Sequence, residues 1–154
     1  MLFNRILSFA LASVFLLTFV FIPIFQVSGS SMYPTLKDGD TIAVFPKKSF
    51  DSGDICCFKT SDKVYVKRVI AGENSVVDID SYGNVTVDGR ILEEDYVNYK
   101  AKGKCDIPLP YTVPEDHYFV LGDNRITSED SRYKEMGCIS RNDMIGCILL
   151  VFSK

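Results

Sequence analysis

Between Arg5 and Lys37 the chain carries no charged side chain. Within that stretch, residues 6–25 read ILSFALASVFLLTFVFIPIF, 20 residues dominated by apolar groups. At ~1.5 Å rise per residue, a helix of that length crosses a ~30 Å hydrocarbon layer. No polar face recurs along the run, which argues against a surface helix of a soluble domain. A cleaved signal peptide, releasing a secreted β-domain, is the competing reading, since Ala10 and Ala12, or Val27 and Gly29, mimic a cleavage site. Signal-peptide apolar cores run only ~7–15 residues, however, so the sequence predicts a retained transmembrane anchor over residues 1–27. Arg5 and the amino terminus lie on one side and Lys37 alone follows on the other. That charge bias favours a cytoplasmic N-terminus with the body of the protein outside.

The whole chain has 154 residues, enough for one domain beside the anchor. Its net charge is −3 and no basic run exceeds two residues, so no nucleic-acid footprint is present. The five cysteines cannot all pair within one chain. With no C-x-x-C pair and a single histidine, a zinc site is not expected. Cys56 and Cys57 are adjacent in a strand-like run and should point to opposite faces as small buried hydrophobes. A Cys138–Cys147 disulfide stays open.

Beyond the apolar run the period changes to that of strands. Short apolar runs, TIAVF (41–45), DICCF (54–58), VYVKRVI (64–70), SVVDI (75–79), NVTVD (84–88), YFVL (118–121) and MIGCILLVF (144–152), alternate with turn residues. Tyr82-Gly83-Asn84 and Asp88-Gly89 bracket a small meander, and residues 93–116 read as a long irregular loop. The nine-residue run 144–152 is too short to span a membrane as a helix and fits a buried closing strand. The expected fold is mainly β: a coiled antiparallel sheet domain over residues 28–154, with a smaller β-hairpin subdomain at about 75–115, preceded by one transmembrane helix.

Three stretches carry candidate chemistry. In SGSSMYPTL (28–36), Pro34 restrains the backbone after Ser31 and Gly29 permits an unusual path before it. Ser31 is therefore either a nucleophile or part of a polar linker. A nucleophilic serine needs a base. His117, the single histidine, is one candidate. Lys67 is another: alternation puts Tyr65, Lys67 and Val69 on one strand face, and a lysine buried among such groups loses its charge more readily. An exposed, snorkelling Lys67 is the plainer alternative. The stretch LGDNRITSEDSRYKEMG (121–137) packs Arg125, Ser128, Asp130 and Arg132 densely, as a solvated turn or as the support of a buried lysine.

Together these stretches resemble the bacterial type I signal peptidases, membrane-bound Ser–Lys proteases, in their short, Gram-positive-like form. SMYPTL (31–36) is similar to the family's nucleophile box and YVKRVI (65–70) to its lysine box. GDICCF (53–58) is similar to its second strand box, though that box is usually richer in valine, and GDNRITSEDSR (122–132) to its polar box. NVTVDGRILEEDY (84–96) resembles the hairpin of the smaller subdomain. The resemblance implies Ser31 as nucleophile and Lys67 as general base. It implies Ser128 as the residue orienting the lysine, Asp130 and Arg132 as braces, and an Asp123–Arg68 pair. It implies an oxyanion site at the Ser31 backbone N–H. Some members add a serine hydroxyl two residues earlier; here that position is Gly29, leaving Ser30, or Ser28, as the second donor. The implied partners are signal-peptide-bearing preproteins cut after small residues in an Ala-x-Ala pattern, and the lipid bilayer. The implied protein is a monomeric, extracytoplasmic enzyme without cofactor. A non-catalytic homologue and a self-cleaving regulator are the rival readings of such a chain.

Overall fold

In the computed structural model, residues 22–61, 63–100 and 105–153 are described. The expected anchor helix falls largely on residues 1–21 and lies outside them. Its expected end does not hold. Ile24–Gln26 forms a strand, β1, whose residues pair in antiparallel register with Thr41–Ala43. The sheet thus begins before the expected boundary at residue 27. Pro23 explains the change locally: it has no N–H to continue a helix, while its carbonyl accepts from Val44 at 2.9 Å.

The strands that follow are β2 (Thr41–Phe45), β3 (Ile55–Lys59), β4 (Val64–Ala71), β5 (Val76–Ile79), β6 (Val85–Val87), β7 (Arg90–Ile91), β8 (Tyr111–Thr112), β9 (His117–Leu121), β10 (Ile139–Ser140) and β11 (Met144–Phe152). They build two antiparallel sheets. The larger runs β1-β2-β11-β3-β4-β9-β10 and the smaller β7-β6-β5-β8. The fold is mainly β, with a curled antiparallel sheet, as the alternating apolar runs implied. Strand β8 lies inside the stretch read as irregular, because two residues were too few to show a period. The β6–β7 hairpin turns on Asp88-Gly89, both at positive φ (51° and 76°), as a two-residue primed turn requires.

Side-chain alternation divides the core into three clusters. One lies around Cys56, Phe58 and Val120, and another joins the two sheets through Ile70, Val77 and Phe119. The third gathers Val27, Met32, Leu36, Ile42, Val44 and Cys57. Cys56 and Cys57, both fully buried, enter different clusters, as period-two geometry demands. All five cysteines are free, and Cys138 and Cys147 pack against different clusters, so the open disulfide is not formed.

Strand β11 lies between β2 and β3 and closes the large sheet. It is not buried throughout: Leu149, Leu150, Val151 and Phe152 are exposed. Its register shifts between Met144 and Gly146. There Gly146 is obligatory, since a Cβ would sit 2.1 Å from the Phe45 carbonyl oxygen.

Candidate active site

The stretch around Ser31 is anchored, not a linker. Val27 before it and Met32 and Leu36 after it are buried in the third cluster. Turn hydrogen bonds run from Tyr33 N–H to Ser30 O (3.1 Å) and from Leu36 N–H to Met32 O (2.9 Å). Gly29, at φ +88°, turns the chain just upstream and donates its N–H to Asp38 at 2.7 Å. Among the described residues, no carbonyl or carboxylate accepts from the Ser31 N–H.

Lys67 reaches this turn from the middle of β4. Its partner across the ladder is Cys56, and its side chain is only 3% exposed. Nζ lies 2.8 Å from Ser31 Oγ and 5.7 Å from the centre of the Tyr65 ring. Burial lowers the lysine's pKa, because a dehydrated ammonium is costly. The charges of Asp130, Glu129 and Asp123, and the Cys56 thiol, act against that shift.

The polar stretch after β9 forms a shelf beside this pair. Gly122 opens it. A Cβ there would stand 2.2 Å from Ser128 Oγ and 2.6 Å from the Ser31 carbonyl oxygen, so only glycine lets the three segments meet. The next turn holds the Ser31 backbone, with Asn124 N–H donating to Ser31 O at 2.9 Å. Asp123 receives both arms of the Arg68 guanidinium, at 2.8 and 2.6 Å, and the Thr35 hydroxyl. Asp130 receives Arg132 in the same forked manner, at 2.8 and 3.0 Å, and the Gly122 N–H at 3.1 Å. Ser128 is buried beside the Ser31–Lys67 pair, but its hydroxyl donates to Glu129 O at 3.4 Å, and among the described residues it makes no hydrogen bond to Lys67, unlike the orienting contact the resemblance implied.

Two further residues complete the shelf, and sequence reasoning missed both. Glu94 binds Arg125 at 2.5 and 3.2 Å, and Arg125 donates to Gly122 O at 2.9 Å. Tyr96 donates to Glu94 at 3.1 Å and lies 3.8 Å beneath the Arg68 guanidinium. Glu94 and Tyr96 sit in the stretch read as loop, 31 residues from Arg125 for Glu94, and no local pattern marks them.

Other candidates fall elsewhere. His117 starts β9, four residues before Leu121, about 13 Å away at ~3.3 Å per residue, and its Nδ1 contacts Glu115 O at 2.7 Å. The structure does not bring it to Ser31. Ser30 turns toward Thr127, with the two hydroxyls 3.4 Å apart, whereas Ser28 lines the cleft with Ser31 and Lys67. That cleft, about 510 Å³, runs between the Phe25–Ser28 segment and the first half of β4, over a floor that includes Ile42, Cys57 and Val66.

Comparison with known proteins places this geometry. The family model described as signal peptidase, peptidase S26, matches residues 2–153. Signal peptidase I P of Bacillus subtilis subsp. natto is 37% identical over 157 residues, covering 93% of this chain and 83% of the relative. Signal peptidase IB of Staphylococcus aureus is 33% identical over 172 residues, covering 96% and 87%. A crystal structure of a signal peptidase I from Enterococcus faecalis superposes with a TM-score of 0.56 at 27% identity, covering 66% of this chain and 97% of that one.

Proposed function

We infer the chemistry of this chain from one premise: it belongs to the signal peptidase family, peptidase S26. It is a signal peptidase I, a serine protease that removes signal peptides from exported preproteins. The finer reading is a Ser31–Lys67 dyad acting after small residues in an Ala-x-Ala pattern. The observation that carries it is the 2.8 Å contact between a buried lysine amine and a serine hydroxyl fixed in a rigid turn.

In the reactive state Lys67 is neutral. The Ser31 hydroxyl then donates to Nζ, which takes its proton as Oγ attacks the scissile carbonyl carbon. The Ser31 N–H, with no other acceptor among the described residues, meets the developing oxyanion, and Ser28, which lines the cleft, is better placed than Ser30 to be the second donor. The ammonium of Lys67 next protonates the departing amine. A water then attacks the acyl carbon and gives its proton to Lys67, and Lys67 returns that proton to Ser31 Oγ as the acid product departs. Ser128, Asp130 and Arg132 hold the lysine's side of the site, and the Asp123–Arg68 pair holds the nucleophile's side through Thr35. The preprotein lies extended along the cleft, between β1 and β4, with small side chains toward its floor.

The membrane reading completes the proposal: a single N-terminal anchor ahead of β1, a cytoplasmic N-terminus and an extracytoplasmic catalytic domain. Exposed Ile24, Phe45, Leu150 and Phe152 on β1, β2 and β11 lie where the chain emerges from that segment, and they suit a lipid surface. Holding enzyme and precursor in one bilayer raises their effective concentration.

The test is cleavage of a precursor with an Ala-x-Ala site, in detergent or lipid, by the wild type, Ser31→Ala and Lys67→Ala. Cleavage after the second alanine by the wild type alone, with both variants folded, is expected. Activity retained by Lys67→Ala would sink the dyad.

A further inference from the structure

The carboxylates that face Lys67 are not equivalent. Asp123 and Asp130 are fully buried, and each is neutralised by a forked arginine, Arg68 and Arg132. Glu129 stands next to Asp130 in the chain yet is exposed, and among the described residues no lysine, arginine or histidine pairs with its carboxylate. It lines the cleft that holds Ser31 and Lys67. The only other exposed charge among the described residues lining that cleft is Lys63. A peptide lying in the cleft strips water from Glu129. An anion dehydrated without a partner costs free energy, and one dehydrated against a cation recovers it.

We propose that Glu129 is a charge selector of the cleft, favouring preproteins that set a Lys or Arg side chain beside it and rejecting those that set Asp or Glu there. This rests on the cleft being the site of signal-peptide cleavage. Rejection matters as much as attraction, because like charges held together in a partly dry cleft act as a device against wrong substrates. The same carboxylate faces the general base. Lys67 is surrounded by the Ser31 hydroxyl, the Tyr65 ring, the Cys56 thiol, the paired Asp123 and Asp130, and the unpaired Glu129.

The experiment uses the full chain in detergent and a set of precursor peptides with one Ala-x-Ala site. A neutral reference is compared with peptides carrying a single Lys or a single Glu, scanned through the positions flanking the scissile bond. Each is cut by the wild type, Glu129→Gln and Glu129→Lys. For the wild type, one position should show about a tenfold preference in kcat/KM for Lys over Glu at low salt, carried mainly by KM and shrinking as salt rises. Glu129→Gln should level that ratio and Glu129→Lys should invert it. Because the ratio is taken within each variant, a general loss of activity cannot imitate the effect. An equal ratio in all three enzymes, or no position with a preference in the wild type, overturns the proposal. Failure of the wild type to cut even the neutral reference would instead strike at the peptidase reading itself.

Discussion

Arg125 and Arg132 are as deeply buried as Lys67, at 3% and 2% exposure against 3%. Their surroundings are opposite. Arg125 is clasped by Glu94 and by a carbonyl, and Arg132 by both oxygens of Asp130 and two carbonyls. Lys67 has a hydroxyl as its hydrogen-bond partner. The arginines hold charges that never change, and the site makes those charges comfortable. In the proposed mechanism the lysine gives up and regains a proton in each turnover, and burial leaves its charged form poorly solvated. Stability has been built into the frame and withheld from the moving part.

The sharpest way to break this contrast is to put the frame's chemistry at the lysine's position. Lys67→Arg retains a cation and donors but cannot lose its proton near neutral pH. A fall of about 10⁴ or more in kcat/KM is expected with the circular dichroism spectrum unchanged, at the level seen when a member of a catalytic unit is lost. Precursor cleavage within tenfold of wild type would end the distinction between the two kinds of buried cation.

The converse change removes one partner from the frame. Asp130→Asn leaves the Arg132 guanidinium buried without its counter-charge, and should cost about 3–5 kcal/mol in urea unfolding. Adding Arg132→Met should return part of that loss. The recovery is incomplete because the two oxygens of Asp130 also accept the Gly122 N–H at 3.1 Å and the Arg132 N–H at 3.3 Å, and an amide keeps only one acceptor oxygen. If Asp130→Asn unfolds at the wild-type midpoint, the forked pair is not what holds the shelf.

Gly122→Ala tests where frame and moving part touch. The new Cβ collides with Ser128 Oγ and, at 2.5 Å, with Ser128 Cβ, which no side-chain rotation moves away, and with the Ser31 carbonyl oxygen, which is backbone and tied to Asn124. Ser31, the proposed nucleophile, and the Ser128 segment must therefore move apart. A loss of about 10²-fold in kcat is expected, with about 1–3 kcal/mol of stability. Unchanged kcat beside reduced stability would show that the contact only packs.

The contrast was half legible in the sequence. Strand alternation in VYVKRVI already set Lys67 on a face with Tyr65 and Val69, and β2 and β11 coincide with the apolar runs TIAVF and MIGCILLVF. What gave Ser31 its rigidity was harder to read, because it comes from Met32, Leu36 and Asn124 packing and bonding across the fold, while the local composition suits a linker equally well. The Glu94–Arg125 clasp was invisible, since a pair joined through tertiary structure has no spacing rule. The apolar run misled at its end: Ile24-Phe25-Gln26 is as hydrophobic as a helix terminus, and only pairing with β2 decides for a strand.

The smallest effect is the most direct measure of the lysine's discomfort. Burial depresses the Lys67 pKa in the folded state, against ~10.4 when unfolded. Below the folded value both states hold the proton and the stability does not vary with pH on this account. Between the two values the unfolded chain holds a proton that the folded chain has lost, so stability rises with pH through that window and levels off above it. Lys67→Met keeps the side-chain volume and removes the titration. At pH values below the window it should unfold later than wild type by about 1–2 kcal/mol, the gain typical of relieving a functional site. The advantage should narrow as pH climbs through the window, because only the wild type improves there. Subtracting the two stability curves isolates this one group from the other ionisations. The pH at which the difference begins to close should coincide with the acid limb of wild-type kcat/KM, since both report the free enzyme's Lys67. A difference that widens with pH, or an acid limb at an unrelated pH, would mean that the base is another group.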